Sequence, residues 1–255
     1  MKNLFIILFL FVSTIAFSQP KVIAHRGFWK TEGSAQNTIA SLIKADSIAC
    51  YGSEFDVYLT KDNGMVIHHD RTRGEVSMIH DSTYRITALT LKNGENVPTL
   101  DAFLTAAQQL THSTRLIYEI KPLGDERRER LSAAIAIDQL MAYGLLEQTT
   151  IISFSKAACL EVIRIMPSVP VQYLEGDLNP TELKELGFAG ADYEMDVFRT
   201  HPEWITQCHD LGLEVNVWTV NEEKDLREFI DLGVDYITTN EPVLLQNLLS
   251  KRVED

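Results

Sequence analysis

Residues 214–239 read EVNVWTVNEEKDLREFIDLGVDYITT. Two short extended pieces, Glu214–Trp218 and Tyr236–Thr238, flank a charged amphipathic segment over Glu222–Leu232 that reads as a helix. Two strands joined through a helix lie parallel, because only a crossover of this length brings the chain back to the same end of a sheet. The same unit recurs outward from here. Strand Ala189–Tyr193 precedes helix Pro202–Leu211, Val169–Leu174 precedes Thr181–Leu186, Thr150–Ser153 precedes Lys156–Met166, and Arg115–Ile120 precedes Arg127–Tyr143. Earlier still, Lys21–Ala24 leads past Asn37-Thr38 into a helix through Ile39, Leu42, Ile43 and Ile48, and Ser53–Tyr58 is the next strand. About eight strands, each followed by a helix, predict an α/β chain closed into a single (β/α)8 TIM barrel, with an open doubly wound sheet as the alternative. After the second strand come a short extended piece, Met65–His69, and a polar insertion over 71–98 broken by Gly74, Asn93-Gly94 and Pro98.

The composition suits one soluble domain: 255 residues, 45% hydrophobic and 23% charged. A net charge of −13 speaks against a protein that grips nucleic acid through its phosphates. At the N-terminus Lys2 is followed by an apolar run from Leu4 to Phe17 and by Ser18-Gln19-Pro20. Residues 1–18 therefore read as a cleaved signal peptide, too short to span a bilayer, so that the domain over 19–255 is exported to the periplasm or secreted without membrane insertion. Cys50, Cys159 and Cys208 fall in segments that read as helices, have no paired zinc-ligand spacing and are expected to be small buried residues.

In a barrel of this kind the chemistry collects at the carboxyl ends of the strands. Those positions hold His25 and Arg26, then Glu54 and Asp56, then Glu119 and Lys121, and later Trp218 with Asn221. Strand period puts Glu54 and Asp56 on one face, with Phe55 and Val57 on the other, and gives Glu119 and Lys121 a common face of their own. Three carboxylates, Glu54, Asp56 and Glu119, form an oxygen-rich partial shell for Ca²⁺ or Mg²⁺. Arg26 and Lys121 can hold the oxygens of a phosphate, and His25 with His69 can serve as a base and an acid. His68 points away from His69 in an extended piece and takes a structural role. Each acid alone would read as a surface carboxylate; their shared placement at strand ends reverses that reading. Glu194, two residues before Asp196, is read as a loop acid outside the site.

These residues resemble the glycerophosphodiester phosphodiesterases. The likeness rests on His25-Arg26-Gly27, Asn37-Thr38, Glu54-Phe55-Asp56-Val57, Thr60-Lys61-Asp62, His69-Asp70, Pro98-Thr99-Leu100, Glu119-Ile120-Lys121, Val217-Trp218-Thr219-Val220-Asn221 and Gly233-Val234-Asp235. The pieces run in order over nearly all of the chain after the leader. The resemblance implies a TIM barrel that uses a divalent cation, Ca²⁺ or Mg²⁺, to hydrolyse a small-molecule glycerophosphodiester to glycerol 3-phosphate and an alcohol. It implies Glu54, Asp56 and Glu119 as metal ligands, His25 and His69 as the acid/base pair, Arg26 and Lys121 as phosphate contacts, and Trp218 as a wall of the pocket. One position departs from the family: Gln36 stands where a Glu usually precedes Asn-Thr. A phospholipase-like or sugar phosphodiesterase on the same barrel is the rival within the class, and an inactive secreted binding protein is the rival outside it.

Overall fold

The computed structural model describes residues 19–254; the expected leader, 1–18, lies outside the described residues. Eight parallel strands make the barrel: β1 Lys21–Ala24, β2 Gly52–Leu59, β3 Arg115–Ile120, β4 Thr149–Ser153, β5 Val171–Tyr173, β6 Gly190–Glu194, β7 Glu214–Trp218 and β8 Tyr236–Thr239. Each pairs with its neighbour in the order β2-β3-β4-β5-β6-β7-β8-β1, and β1 also pairs with β2 through Ile23↔Gly52 and Ala24↔Ser53. That last pairing closes the ring and rules out the open sheet. Among the described residues no helix is long and apolar enough to cross a membrane.

Alternation along the strands sorts side chains into two cores. Phe55, Val57, Leu116 and Tyr118 point outward into the large layer between strands and helices, whereas Ile23, Ile117, Ile152, Leu174 and Tyr236 fill the inside of the barrel. Phe55 stacks on Phe103 and Tyr118 at ring separations of 4.5 and 5.1 Å, and burial of such a ring contributes roughly 1.5–3 kcal/mol. Because Phe55 is anchored outward, Glu54 and Asp56 on either side of it must face in.

The excursion after β2 has more structure than its polar composition predicts. Met65–Ile67 pairs antiparallel with β2, Thr72–Arg73 and Val76–Ser77 form a two-residue hairpin, and Thr83–Thr87 is a short helix capped by Ser82. Met78, Ile79 and Ile86 are isolated apolar residues in the sequence, yet all three are buried in the main core. A helix over Met195–Thr200 follows β6 directly. Glu194 caps it by accepting a hydrogen bond from the Asp196 N–H at 2.7 Å, which occupies that carboxylate away from the pocket. Cys159 and Cys208 sit in helices, but Cys50 lies beyond the helix Ile39–Ser47, in the turn into β2. All three thiols are free and buried, and burial pushes Cys50 and Cys208 up to about 12, leaving them without thiolate chemistry near neutrality.

Candidate active site

The end of β1 turns sharply at His25-Arg26-Gly27. Arg26 takes a left-handed φ of 57°, which aims its N–H at Glu54 Oε2, 2.7 Å away. Gly27 follows at φ 75°, where a Cβ would sit 2.4 Å from Ser41 Oγ, so only glycine lets the turn pack on the first helix. Gln36 and Asn37 then lock the site from behind. Gln36 Oε1 accepts from Arg26 Nη1 at 2.8 Å; Asn37 donates to Asp56 Oδ2 at 2.7 Å and accepts from the Asp56 N–H at 3.0 Å. Thr38 next to them caps the helix Ile39–Ser47.

The tautomer of His25 follows from its partners. Its Nδ1 lies 3.0 Å from Asn240 Oδ1, and the indole N–H of Trp29 donates to the same oxygen at 3.0 Å. An indole nitrogen can only donate, so the Asn240 atom between them is the carbonyl oxygen and His25 Nδ1 carries a hydrogen. In the neutral ring Nε2 keeps its lone pair, 3.9 Å from Glu54 Oε2. Burial, seconded by the Arg26 charge, holds His25 down at about 4, so the neutral form prevails at physiological pH.

Register places the acids together: Asp56 on β2 lies beside Glu119 on β3. Ligand oxygens of Glu54, Asp56 and Glu119 all fall within 4.8 Å of one another, and all three side chains are buried. Lys121 Nζ lies 3.0 Å from Asp56 Oδ1 and 2.8 Å from Glu119 Oε1. Burial pushes Asp56 up, but Lys121, His69, Arg26 and the Asn37 hydrogen bond outweigh it and hold the carboxyl well below its usual range. Burial and the neighbouring Asp56 raise both other acids, Glu54 well above its usual range and Glu119 to about 8. The cluster thus carries more acid than the local cations neutralise. Glu54 Oε1 is buried with no hydrogen-bond partner, and an all-carboxylate oxygen set with an orphaned member fits a hard divalent cation.

The remaining expected residues approach from other sides. His69 follows Met65–Ile67, with Nδ1 2.8 Å from Asp70 Oδ1 and its carbonyl accepting from the Tyr58 hydroxyl at 3.2 Å. His68 instead turns Nδ1 to the Asp70 carbonyl at 2.9 Å. Trp218 donates from Nε1 to the Asp192 carbonyl at 2.9 Å and meets Phe154 edge-on, which fixes the plane of its ring. Seven of the eight expected residues line one pocket of about 110 Å³; the eighth, Asp56, lies beneath it, held by Lys121 and Asn37.

A single domain model spans this whole arrangement, from His25 to Leu244: it describes the glycerophosphoryl diester phosphodiesterase family. The chain belongs to that family. It is an enzyme of the phosphoric diester hydrolase class. A glycerophosphodiester phosphodiesterase of Caldanaerobacter subterraneus is 27% identical over 246 residues, covering 90% of this chain and 98% of its own length. One from Bacillus subtilis is 27% identical over 257 residues, covering 89% and 85%. The crystal structure of a glycerophosphodiester phosphodiesterase from Parabacteroides distasonis superposes with a TM-score of 0.91 at 46% identity, covering 92% of this chain and 98% of that one.

Three residues at the site go unmarked in the sequence reading. Asn240 orients His25, Phe154 buttresses Trp218, and Asp192 forms part of the pocket wall. The signal for Asp192 and Asn240 is parity: Asp192 lies opposite Asn216, two residues before the inward Trp218, and Asn240 is two residues past the inward Thr238.

Proposed function

We propose that this phosphodiesterase hydrolyses glycerophosphodiesters to glycerol 3-phosphate and an alcohol with the help of a divalent cation held by Glu54, Asp56 and Glu119. The observation that carries the reading is the buried three-carboxylate cluster facing two histidines across one small pocket. A bound Ca²⁺ or Mg²⁺ would neutralise phosphate charge and lower the pKa of the attacking water. Arg26 and Lys121, on the same side of the pocket, hold the non-bridging oxygens and offset charge that develops on them. His25 serves as the base, because its Nδ1–H is committed to Asn240 and its buried ring is kept neutral with the Nε2 lone pair available. It takes a proton from the attacking water as the bond from phosphorus to the leaving alcohol oxygen breaks. His69 serves as the acid: its Nδ1–H donates to the Asp70 carboxylate, which orients the ring so that the proton on Nε2 is given to the leaving alkoxide. Trp218 offers an apolar face to the substrate carbons. The leader-like residues 1–18 support export, so the activity is assigned to the periplasm or the exterior.

Initial rates on glycerophosphocholine test the reading. Turnover is expected with Ca²⁺ or Mg²⁺, is expected to stop on chelation and to return on adding the cation back. Undiminished turnover in chelator would remove the cation from the scheme.

Gln36 bears on the same site. Its amide oxygen already orients Arg26, so the neutral residue does the positioning that a carboxylate would do. A Gln36→Glu substitution adds a negative charge beside Asn37, which bonds Asp56, and strengthens the bond to Arg26 by roughly 1 kcal/mol. The expected outcome is a change of up to about tenfold in apparent cation affinity or KM with kcat largely kept. Identical kinetics and affinity in the variant would show that the exchange has no consequence.

A further inference from the structure

The hydrolytic scheme leaves one acid of the pocket wall unused. Asp192, inside β6, is 1% exposed, forms part of the pocket wall, and its Oδ1 has no hydrogen-bond partner. The polar groups nearest to it by register cannot fully satisfy it. The Asn216 amide and the Thr238 hydroxyl exchange hydrogen bonds with each other at 3.1 and 3.2 Å. Burial pushes Asp192 up to about 8, offset only in part by Asn216, so near neutrality the group is largely a neutral carboxylic acid able both to donate and to accept. Around it the wall is apolar, made by Ile152, Phe154, Leu174 and the Trp218 ring. A small pocket with apolar walls beside an unsatisfied carboxyl suits a short polyol, with carbons against the rings and a hydroxyl on the acid.

Which end of the substrate goes there follows from the positions of the histidines. His69 lines the smaller pocket of about 110 Å³ and also a larger groove of about 350 Å³ that includes Trp29, Gln36, Arg73 and Lys92. As the acid, His69 stands beside the leaving alcohol, so the alcohol, the variable part of the substrate, extends into the larger groove. The glycerol end, the invariant and smaller part, is left with the smaller pocket. Resting on the hydrolytic reading above, we propose that Asp192 is the specificity-determining residue that recognises a hydroxyl of the glycerol moiety.

The test compares glycerophosphocholine with its two deoxy analogues, the choline phosphodiesters of 1,2-propanediol and 1,3-propanediol. The wild-type enzyme is expected to prefer the glycerol substrate over at least one analogue by roughly 10- to 100-fold in kcat/KM, since a site built to bond a hydroxyl is left unsatisfied without it. In Asp192→Ala that preference is expected to fall to within about threefold, through loss on the glycerol substrate with the analogue rate kept. Asp192→Asn, which keeps a donor and an acceptor in nearly the same volume, is expected to retain most of the preference. Inhibition gives a second measurement: the Ki of glycerol 3-phosphate should rise roughly tenfold in Asp192→Ala while that of inorganic phosphate stays put. Equal losses on all substrates, or equal changes in both Ki values, would overturn the assignment of Asp192 alone. No wild-type turnover of any of these diesters would overturn the hydrolytic reading, and this assignment with it.

Discussion

Replacing His25 with alanine is expected to lower kcat on glycerophosphocholine by roughly 10²- to 10⁴-fold, the usual contribution of a positioned proton carrier. Three features of the structure lie behind this size of effect. Trp29 and Asn240 hold Nδ1 in its protonated form, Nε2 faces the acid cluster, and burial keeps the ring neutral. The same burial gives a second, independent readout. His25 is held at about 4 when folded against 6.5 when exposed, so between those values the unfolded chain binds more protons than the folded one. Stability contributed by this group therefore rises with pH across that window and is lost on acidification, by on the order of 3 kcal/mol in all. Glu54 and Glu119, whose pKa values are raised, act in the opposite sense, so the measurement is the difference between urea melts of wild type and His25→Gln in chelator from pH 4 to 6.5. Near-normal kcat in the alanine variant would remove His25 from the chemistry.

Exchanging Asp56 for asparagine is expected to be as damaging by another route. Asp56 is the one member of the acid cluster held firmly ionised, by Lys121 at 3.0 Å, by Asn37 at 2.7 Å and by Arg26 at 3.8 Å. The amide removes the charge, presents a donor to other donors, and leaves the almost fully buried Lys121 with Glu119 alone. Loss of one partner from a buried pair typically costs about 3–5 kcal/mol, and loss of a metal-ligating oxygen is expected to weaken cation binding by roughly 100-fold or more. Calorimetric titration with Ca²⁺ and Mg²⁺, together with melts in chelator, separates the two effects. Cation binding by the wild type should also release protons near neutrality, because Glu119, pushed up to about 8, is protonated to a large extent before the cation arrives. Unchanged affinity in Asp56→Asn would take Asp56 out of the ligand set.

Much of this site is visible in the sequence because strand parity converts spacing into direction. Phe55 between Glu54 and Asp56 marks which face is buried outward, and Glu119 with Lys121 repeats the pattern on the adjacent strand. Closure of the barrel was legible from the repeated strand-helix unit. Other features depend on contacts between distant residues that no local pattern encodes. The pairing of Asn240 with both Trp29 and His25 joins residues more than two hundred positions apart. Asp192 sits two residues before Glu194 on a short strand, where it looks like an acid of an exposed strand end until the register with Asn216 turns it inward. The insertion read as irregular because Met78, Ile79 and Ile86 have no period of their own; each is fixed by the core it caps. The apolar period runs on to Ile48 and carries Cys50 with it toward a helix, whereas Ala49 takes a left-handed φ of 53° just past the helix end.

The most direct test is ³¹P NMR of glycerophosphocholine incubated with the wild-type enzyme and Ca²⁺ or Mg²⁺. The expected result is conversion of the diester resonance to glycerol 3-phosphate with release of free choline, abolished by chelator. Choline phosphate as the product, or glycerol 3-phosphate formed equally well in chelator, would contradict the assignment of the three-carboxylate cluster and the two histidines to cation-assisted cleavage on the alcohol side of the phosphate.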